Sequence, residues 1–300
     1  MPIKRIILFL LIFPNIISAQ PEWSLQPIDF FDMPGLSGFG ETMGVDVNSK
    51  QHIFVFHRGP GNLKEFDNKG NYVKTIGEGF FKKAHGLRID AEDNIWITDT
   101  EQHIVLRFNP DGQQDLVLGR INRPGEWDDV YDIPLFNGPA DVTVDKLGNI
   151  FVADGYGNSR IVKFDKNGNF IKTWGVKGSG KGEFNLPHNI VVDTQNRLLV
   201  ADRENKRIQV FSTNGEFLEI WDDIGSPYGL CVGDSGIYMT DGLNNHISWI
   251  DEAGKIIAHF GNSGRAQGQF LMPHAITIDQ QGRIFVADTH NWRIQCLIHH

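Results

Sequence analysis

One unit of about 40 residues, repeated six times, limits what this chain can fold into. Its clearest copy runs from Leu186 to Trp221 and holds four short apolar runs separated by turn residues. The first run leads to Asp193, the second ends Val200-Ala-Asp202, the third is Arg207–Phe211 and the fourth is Phe217–Trp221. Runs this short, rich in Val, Ile and Phe and bounded by Asn, Asp and Gly, read as strands. Asn214-Gly215 between the last two reads as a tight hairpin. The unit is therefore a four-stranded antiparallel meander, the size of one propeller blade. First strands close at Asn48, Asp90, Asp145, Asp193, Gly233 and Asp279, marks 40 to 55 residues apart. The sixth unit stops after its third strand, which would leave an open edge. Glu22–Ile28 can supply the missing strand. The expected fold is all-β, a six-bladed propeller closed by an N-terminal strand that completes the last blade. A β-sandwich would not produce so regular a repeat.

Residues 1–19 differ in kind. Lys4 and Arg5 precede an apolar run, Ile6–Phe13, and small residues follow at Ser18-Ala19. That is the layout of a secretory signal, and the run is too short for a comfortable membrane span. The expected organisation is a signal at 1–19 and one propeller domain at 20–300, exported to the periplasm or secreted, with no membrane span and monomeric. A net charge of −9 argues against a nucleic-acid partner. Cys231 and Cys296 fall on different strands of successive units and read as buried thiols rather than a disulfide. The 55-residue step before Asp145 contains an insertion, Arg120–Asn137, which reads as a surface loop able to wall a site.

The chemistry lies in what the units do not share. Five residues before each mark stands the residue that opens the innermost strand: Met43, His85, Ala140, His188, Tyr228 and His274. Histidine occupies alternate units. In a six-bladed ring those positions are a third of a turn apart at one rim, so three imidazoles converge on the axis. Three nitrogens with one open position suit zinc, although copper, nickel or iron also accept imidazole. A single His at a strand start is more often a hydrogen-bonded structural residue. A structural requirement of the fold, however, would not be met by Met43 and Ala140 in other units.

A meander returns its second strand to the rim where its first began. There lie His57-Arg58, Asp154-Gly155-Tyr156 and Asp202-Arg203. The Asp recurs in five units (Asp99, Asp154, Asp202, Asp241, Asp288) and reads as a turn residue that accepts backbone N–H groups. Arg160, Arg207 and Arg293 also recur and read as architectural. Arg58 and Arg203, on opposite units, suit an anionic substrate such as a carboxylate.

The strings Val55–Gly59 (VFHRG), His85–Asp90 (HGLRID), Asp154–Val162 (DGYGNSRIV), Pro187–Asp193 (PHNIVVD), Ala201–Asn205 (ADREN) and Met272–Ile276 (MPHAI) resemble those of peptidyl-α-hydroxyglycine α-amidating lyase. That family is a six-bladed propeller of NHL-type repeats. The resemblance implies zinc on His85, His188 and His274, catalytic roles for Arg58 and Tyr156, and Arg203 and Met272 in the substrate pocket. It implies a carbon–nitrogen lyase acting on a peptide with an α-hydroxyglycine end and releasing a peptide amide and glyoxylate. The family's structural calcium would use the backbone at Val45 and Leu87. Its acidic residue after the third His is Ala275 here, so a weak calcium site or none is expected. Gly157 stands where the family has a cysteine, so its disulfides are not expected. No copper monooxygenase segment is visible, so another protein supplies the hydroxylated substrate or a related α-hydroxy amide is cleaved. Two other readings compete. One is a non-catalytic secreted NHL-repeat propeller that binds protein or glycan. The other is a calcium-dependent lactonase-like propeller, which would use carboxylate and amide oxygens rather than imidazoles.

Overall fold

The computed structural model describes residues 25–28 and 38–299; the expected export signal lies outside them. Six four-stranded antiparallel sheets follow one another along the chain. Blade 1 is Thr42–Val47, Ile53–His57, Leu63–Phe66 and Tyr72–Ile76. Blade 2 is Ala84–Ile89, Ile95–Asp99, Ile104–Phe108 and Gln114–Gly119. Blade 3 is Asp141–Val144, Ile150–Asp154, Arg160–Phe164 and Phe170–Trp174. Blade 4 is Pro187–Val192, Arg197–Asp202, Arg207–Ser212 and Phe217–Trp221. Blade 5 is Pro227–Gly233, Gly236–Asp241, His246–Ile250 and Ile256–Phe260. Blade 6 is Pro273–Ile278, Ile284–Asp288 and Arg293–His299, and Leu25–Ile28 pairs antiparallel with the last of these as its outer strand. The chain is a six-bladed β-propeller, and the N-terminal strand covers the edge that the sixth unit would leave open.

The core consists of six apolar layers, each between two adjacent blades. Second strands such as Ile150–Asp154 and Arg197–Asp202 are buried on both faces, so they read as continuous apolar runs rather than alternating ones. Successive side chains point into different layers. Val152 packs with blade 2, while Phe151 and Ala153 pack with blade 4. The layer of Phe39, Val45, Phe66, Phe285 and Ala287 joins blade 6 to blade 1 and closes the ring. Cys231 lies in the layer between blades 5 and 6, and Cys296 in that between blades 6 and 1. Blade 6 itself separates the two thiols, which are free and buried as expected.

Two local features set the rim. Phe81, Phe184 and Phe270, each four residues before a rim histidine, are buried between blades against Phe108, Phe211 and Phe260 respectively. A Cβ on Gly175 would come within 2.6 Å of the Phe184 ring, so the chain passes there as glycine with φ +98°. Truncating Phe184 to Ala would cost about 3–5 kcal/mol. The turn Asp carboxylates hold the other side. Asp99, Asp202 and Asp288 accept the backbone N–H of Lys82, Asn185 and Leu271, three residues before each histidine. Arg160, Arg207 and Arg293 pair with Asp154, Asp202 and Asp288 and reach loop carbonyls, which fits their architectural reading.

The Asn214-Gly215 turn is one residue longer than a two-residue hairpin. Ser212 N–H pairs with Glu216 O, Gly215 alone has positive φ (+78°), and a bulge follows between Val210 and Phe211. It is a type I turn closed by a left-handed glycine, which explains why Gly70, Gly112, Gly168 and Gly254 stand at the same place in the corresponding turns of blades 1, 2, 3 and 5, all with positive φ. The insertion before blade 3 carries a small hairpin, Trp127–Asp128 with Ile133–Pro134.

Candidate metal centre

Each innermost strand starts at the same rim, and the rim residues meet on the axis. The imidazole centroids of His85, His188 and His274 are 4.9, 4.7 and 4.8 Å apart, with interplanar angles of 80°, 79° and 76°. This is close to threefold symmetry. One nitrogen from each lies within 4.8 Å of the others, and all three residues are buried.

The remaining nitrogen of each ring is fixed by the blade between. His85 Nδ1 is 2.7 Å from the carbonyl of Ala140, His188 Nδ1 is 2.7 Å from that of Tyr228, and His274 Nδ1 is 2.7 Å from that of Met43. A carbonyl only accepts, so each Nδ1 carries the proton and each Nε2 presents a lone pair to the axis. Metal-binding histidines are commonly oriented by this kind of outer bond. The acceptors are the rim residues of the blades that lack histidine.

Protonation agrees with this role. Burial pushes His85 and His188 well below the usual imidazole range, and the neighbouring imidazoles and arginines add to it. Burial takes His274 down to about 3. All three are neutral at neutral pH, as ligands must be. His274 Nε2 is buried and has no hydrogen-bond partner among the described residues. An unmatched lone pair in a dry site is costly for folding alone, and a cation on the axis would satisfy it. The residues fit a metal ion.

Tyr156 and the arginines complete the rim. Tyr156 is 44% exposed, yet its hydroxyl reaches in to 2.7 Å from His85 Nε2 and 3.3 Å from His188 Nε2. Burial raises its phenol above the usual value, and Arg203 and then Arg58 pull against that without cancelling it. The arginines alone do not produce a phenolate. Arg203 lies 4.7 Å over the Tyr228 ring and 5.8 Å from that of Tyr156, and its Nε donates to Glu204. Arg58 donates to Glu41 and to the carbonyl of Ala84, beside His85. Met272 is half-buried with φ +54°, and its N–H donates to Asn245.

The channel beneath suits calcium poorly. A narrow space there is lined by Val45, Leu87, Arg88, Asp141 and Ala275 among others. Ala275 offers no oxygen from its side chain. The Arg88 guanidinium bonds Asp141 at 2.7 Å, with Asp46 as its second charge partner. Asp46 itself accepts from Ile89 N–H and the Thr277 hydroxyl. Arg88 thus already engages the Asp141 and Asp46 carboxylates at this level.

Comparisons with known proteins agree with the fold. Residues 132–222 match a family described as a 6-bladed beta-propeller, and residues 270–297 match the NHL repeat. The chain is 36% identical over 199 residues to mouse peptidyl-glycine alpha-amidating monooxygenase, covering 55% of this chain and 20% of that protein. Peptidyl-alpha-hydroxyglycine alpha-amidating lyase 1 of Drosophila melanogaster is 32% identical over 203 residues, covering 55% of this chain and 36% of the other.

The chain is similar to the amidating lyases.

It spans well under half the length of these two relatives. Mouse NHL repeat-containing protein 3 is 32% identical over 187 residues, covering 56% of this chain and 50% of that one. Among solved structures, a streptogramin B lyase matches with a TM-score of 0.65 at 16% identity, covering 93% of this chain and 98% of the other, a likeness of fold.

The structure brings His85, His188, His274, Tyr156, Arg58 and Arg203 to one rim. The supporting roles of two residues escaped the sequence reading. Tyr228 supplies both the carbonyl that holds His188 and the ring beneath Arg203. Lys64 is the other. His57 Nδ1 accepts N–H bonds from Gly40 and Gly59, so Nε2 carries the proton and points at Lys64 Nζ, 2.8 Å away. Lys64 also donates to the carbonyls of Pro60 and Gly61. Burial lowers the Lys64 pKa, which eases its close contact with the ring. This pair holds the loop that carries Arg58, in the place where blades 3, 4 and 6 use Asp and Arg. The signal was present in the sequence: His57 is the one second-strand end that lacks the recurrent Asp.

Proposed function

We propose that this chain is a zinc-dependent lyase that cleaves the carbon–nitrogen bond of a peptidyl-α-hydroxyglycine, releasing a peptide amide and glyoxylate. One observation carries the reading: three neutral imidazoles with their Nδ1 protons committed to backbone carbonyls converge on an axis where His274 Nε2 has no other partner among the described residues. The similarity to proteins named amidating lyases supplies the reaction.

His85, His188 and His274 would hold the ion. A bound Zn²⁺ acts as a Lewis acid and favours the ionised form of a nearby phenol. The substrate's central carbon carries a hydroxyl, a carboxylate and the amide nitrogen. Loss of the hydroxyl proton lets the oxygen lone pair form the aldehyde as the C–N bond breaks, and the amide nitrogen takes up a proton. Tyr156, with its hydroxyl among the imidazoles, takes the first proton and is placed to return it to the leaving nitrogen. Arg58 and Arg203 hold negative charge on either side of it. Met272 would line the substrate pocket, as the resemblance implies. The proposed setting is outside the cytoplasm, reached through an export signal at residues 1–19.

The test is to measure zinc content and glyoxylate release from an α-hydroxyglycine peptide on one preparation. One zinc per chain with stoichiometric peptide amide supports the reading. A zinc-loaded protein that leaves the peptide intact refutes it and leaves a binding propeller.

A further inference from the structure

Resting on that reading, the structure assigns a binding site to the peptide arm of the substrate: we infer that it leaves the metal centre over blades 1 to 3. A cleft of about 450 Å³ opens there and shares Arg58 and Tyr156 with the centre. Its other walls include Lys83, Glu101, His103 and Asn137. That volume is within the range of small-ligand sites.

Three features identify the occupant. First, the substrate's carboxylate and its peptide arm leave the same carbon and must take different directions. Arg203, whose side chain is only 14% exposed and lies over Tyr228, suits the small anionic end. The open cleft is on the Arg58 side of Tyr156. Second, the cleft walls have unused hydrogen-bonding groups. Among the described residues, the ammonium of Lys83, the carboxylate of Glu101 and the amide of Asn137 have no partner, and His103 uses only Nδ1, accepting the N–H of Gly138. Donors and acceptors of both kinds along one cleft match the alternating N–H and C=O of an extended peptide. Third, the lining is polar and small, with Thr100, Gly138 and Gly157 between the charged groups. No large apolar side chain other than Tyr156 lines it, so recognition falls on the peptide backbone rather than on a chosen side chain. The site takes peptides of varied sequence, and the chain length of the substrate affects binding more than its identity does.

Lys83 and Glu101 are exposed and unpartnered, so they can be changed without disturbing a contact of the fold. The test compares N-acetyl-α-hydroxyglycine with a tetrapeptide ending in α-hydroxyglycine, using metal-loaded full-length protein. In Glu101→Trp, which fills the cleft, the ratio of kcat/KM for the tetrapeptide to that for the acetyl compound falls about tenfold, the value of one or two lost hydrogen bonds. Calorimetric binding of the tetrapeptide amide product to the same protein weakens in parallel, and Lys83→Glu shifts the ratio according to the charge of the peptide. An unchanged ratio and unchanged amide binding in both variants, with wild type cleaving both compounds, overturn the cleft and leave the lyase reading standing. A wild-type protein that cleaves neither compound overturns both.

Discussion

Blades 2, 4 and 6 and blades 1, 3 and 5 bring the same backbone position to the same rim and use it in opposite ways. In the even blades the side chain faces the site: His85, His188 and His274 aim Nε2 at the axis. In the odd blades the backbone serves, through the carbonyls of Met43, Ala140 and Tyr228 that fix the three Nδ1 protons. A carbonyl belongs to every residue type, so odd positions can be Met, Ala or Tyr, whereas even positions cannot vary. The ring thus builds a threefold site inside a sixfold fold, with ligand and orienting group always one blade apart.

That contrast can be broken most directly at an even blade. His188→Ala removes a ligand and is expected to lower both metal content and glyoxylate release by more than 100-fold, beyond the usual cost of losing an outer-shell partner. Tyr156→Phe sharpens it, since the phenol belongs to an odd blade but acts on the even-blade nitrogens. Activity should fall about 10²–10⁴-fold while metal content measured on the same sample stays at the wild-type level. Arg203→Ala should raise KM about tenfold or more through loss of a charge-assisted bond, with metal unaffected.

Blade 1 gives a pH-dependent version of the same comparison. Blades 3, 4 and 6 end their second strands on an Asp paired with Arg, whereas blade 1 uses His57 against Lys64. Burial, and then the Lys64 charge, lower His57 from 6.5 to about 4. Between those values the unfolded chain binds the proton and the folded chain does not, so stability rises with pH across that window and is lost as pH falls through it. The full effect is about 3 kcal/mol. Denaturant titrations from pH 7 to pH 4 should show this slope reduced in His57→Gln, and an unaltered slope would remove His57 as its source. The smallest effect belongs to the odd-blade rim. Met43→Leu keeps the carbonyl that His274 needs, and metal affinity should stay within about twofold, since only packing changes.

The sequence revealed the blades because each second strand is buried on both faces and each outer turn needs its left-handed glycine. It also revealed the histidines, because only a position counted across the repeats shows their alternation. Glu22–Ile28 was recognisable as the closing strand from the incomplete sixth unit, and Leu25–Ile28 does pair there. The orienting carbonyls were invisible, because no residue type announces a backbone acceptor. The Arg88–Asp141 pair in the channel was equally hidden: the arginine is an ordinary residue of HGLRID until the third blade's Asp141 is brought against it. Ala275 offers no side-chain oxygen where the resemblance implies a calcium ligand, and that much was legible in the sequence. The burial of the Tyr156 phenol was equally hidden in the sequence. Its two arginines are close, yet burial outweighs them.

The central claim is that one ion sits on the axis, shared by three blades. Metal analysis of the purified protein and of the His85→Ala, His188→Ala and His274→Ala variants tests it directly. The account predicts one zinc per wild-type chain and near-complete loss from each variant, while circular dichroism of all four remains that of a folded β protein. Zinc retained at full occupancy after any one of these substitutions, or a wild-type protein that binds none, would contradict it.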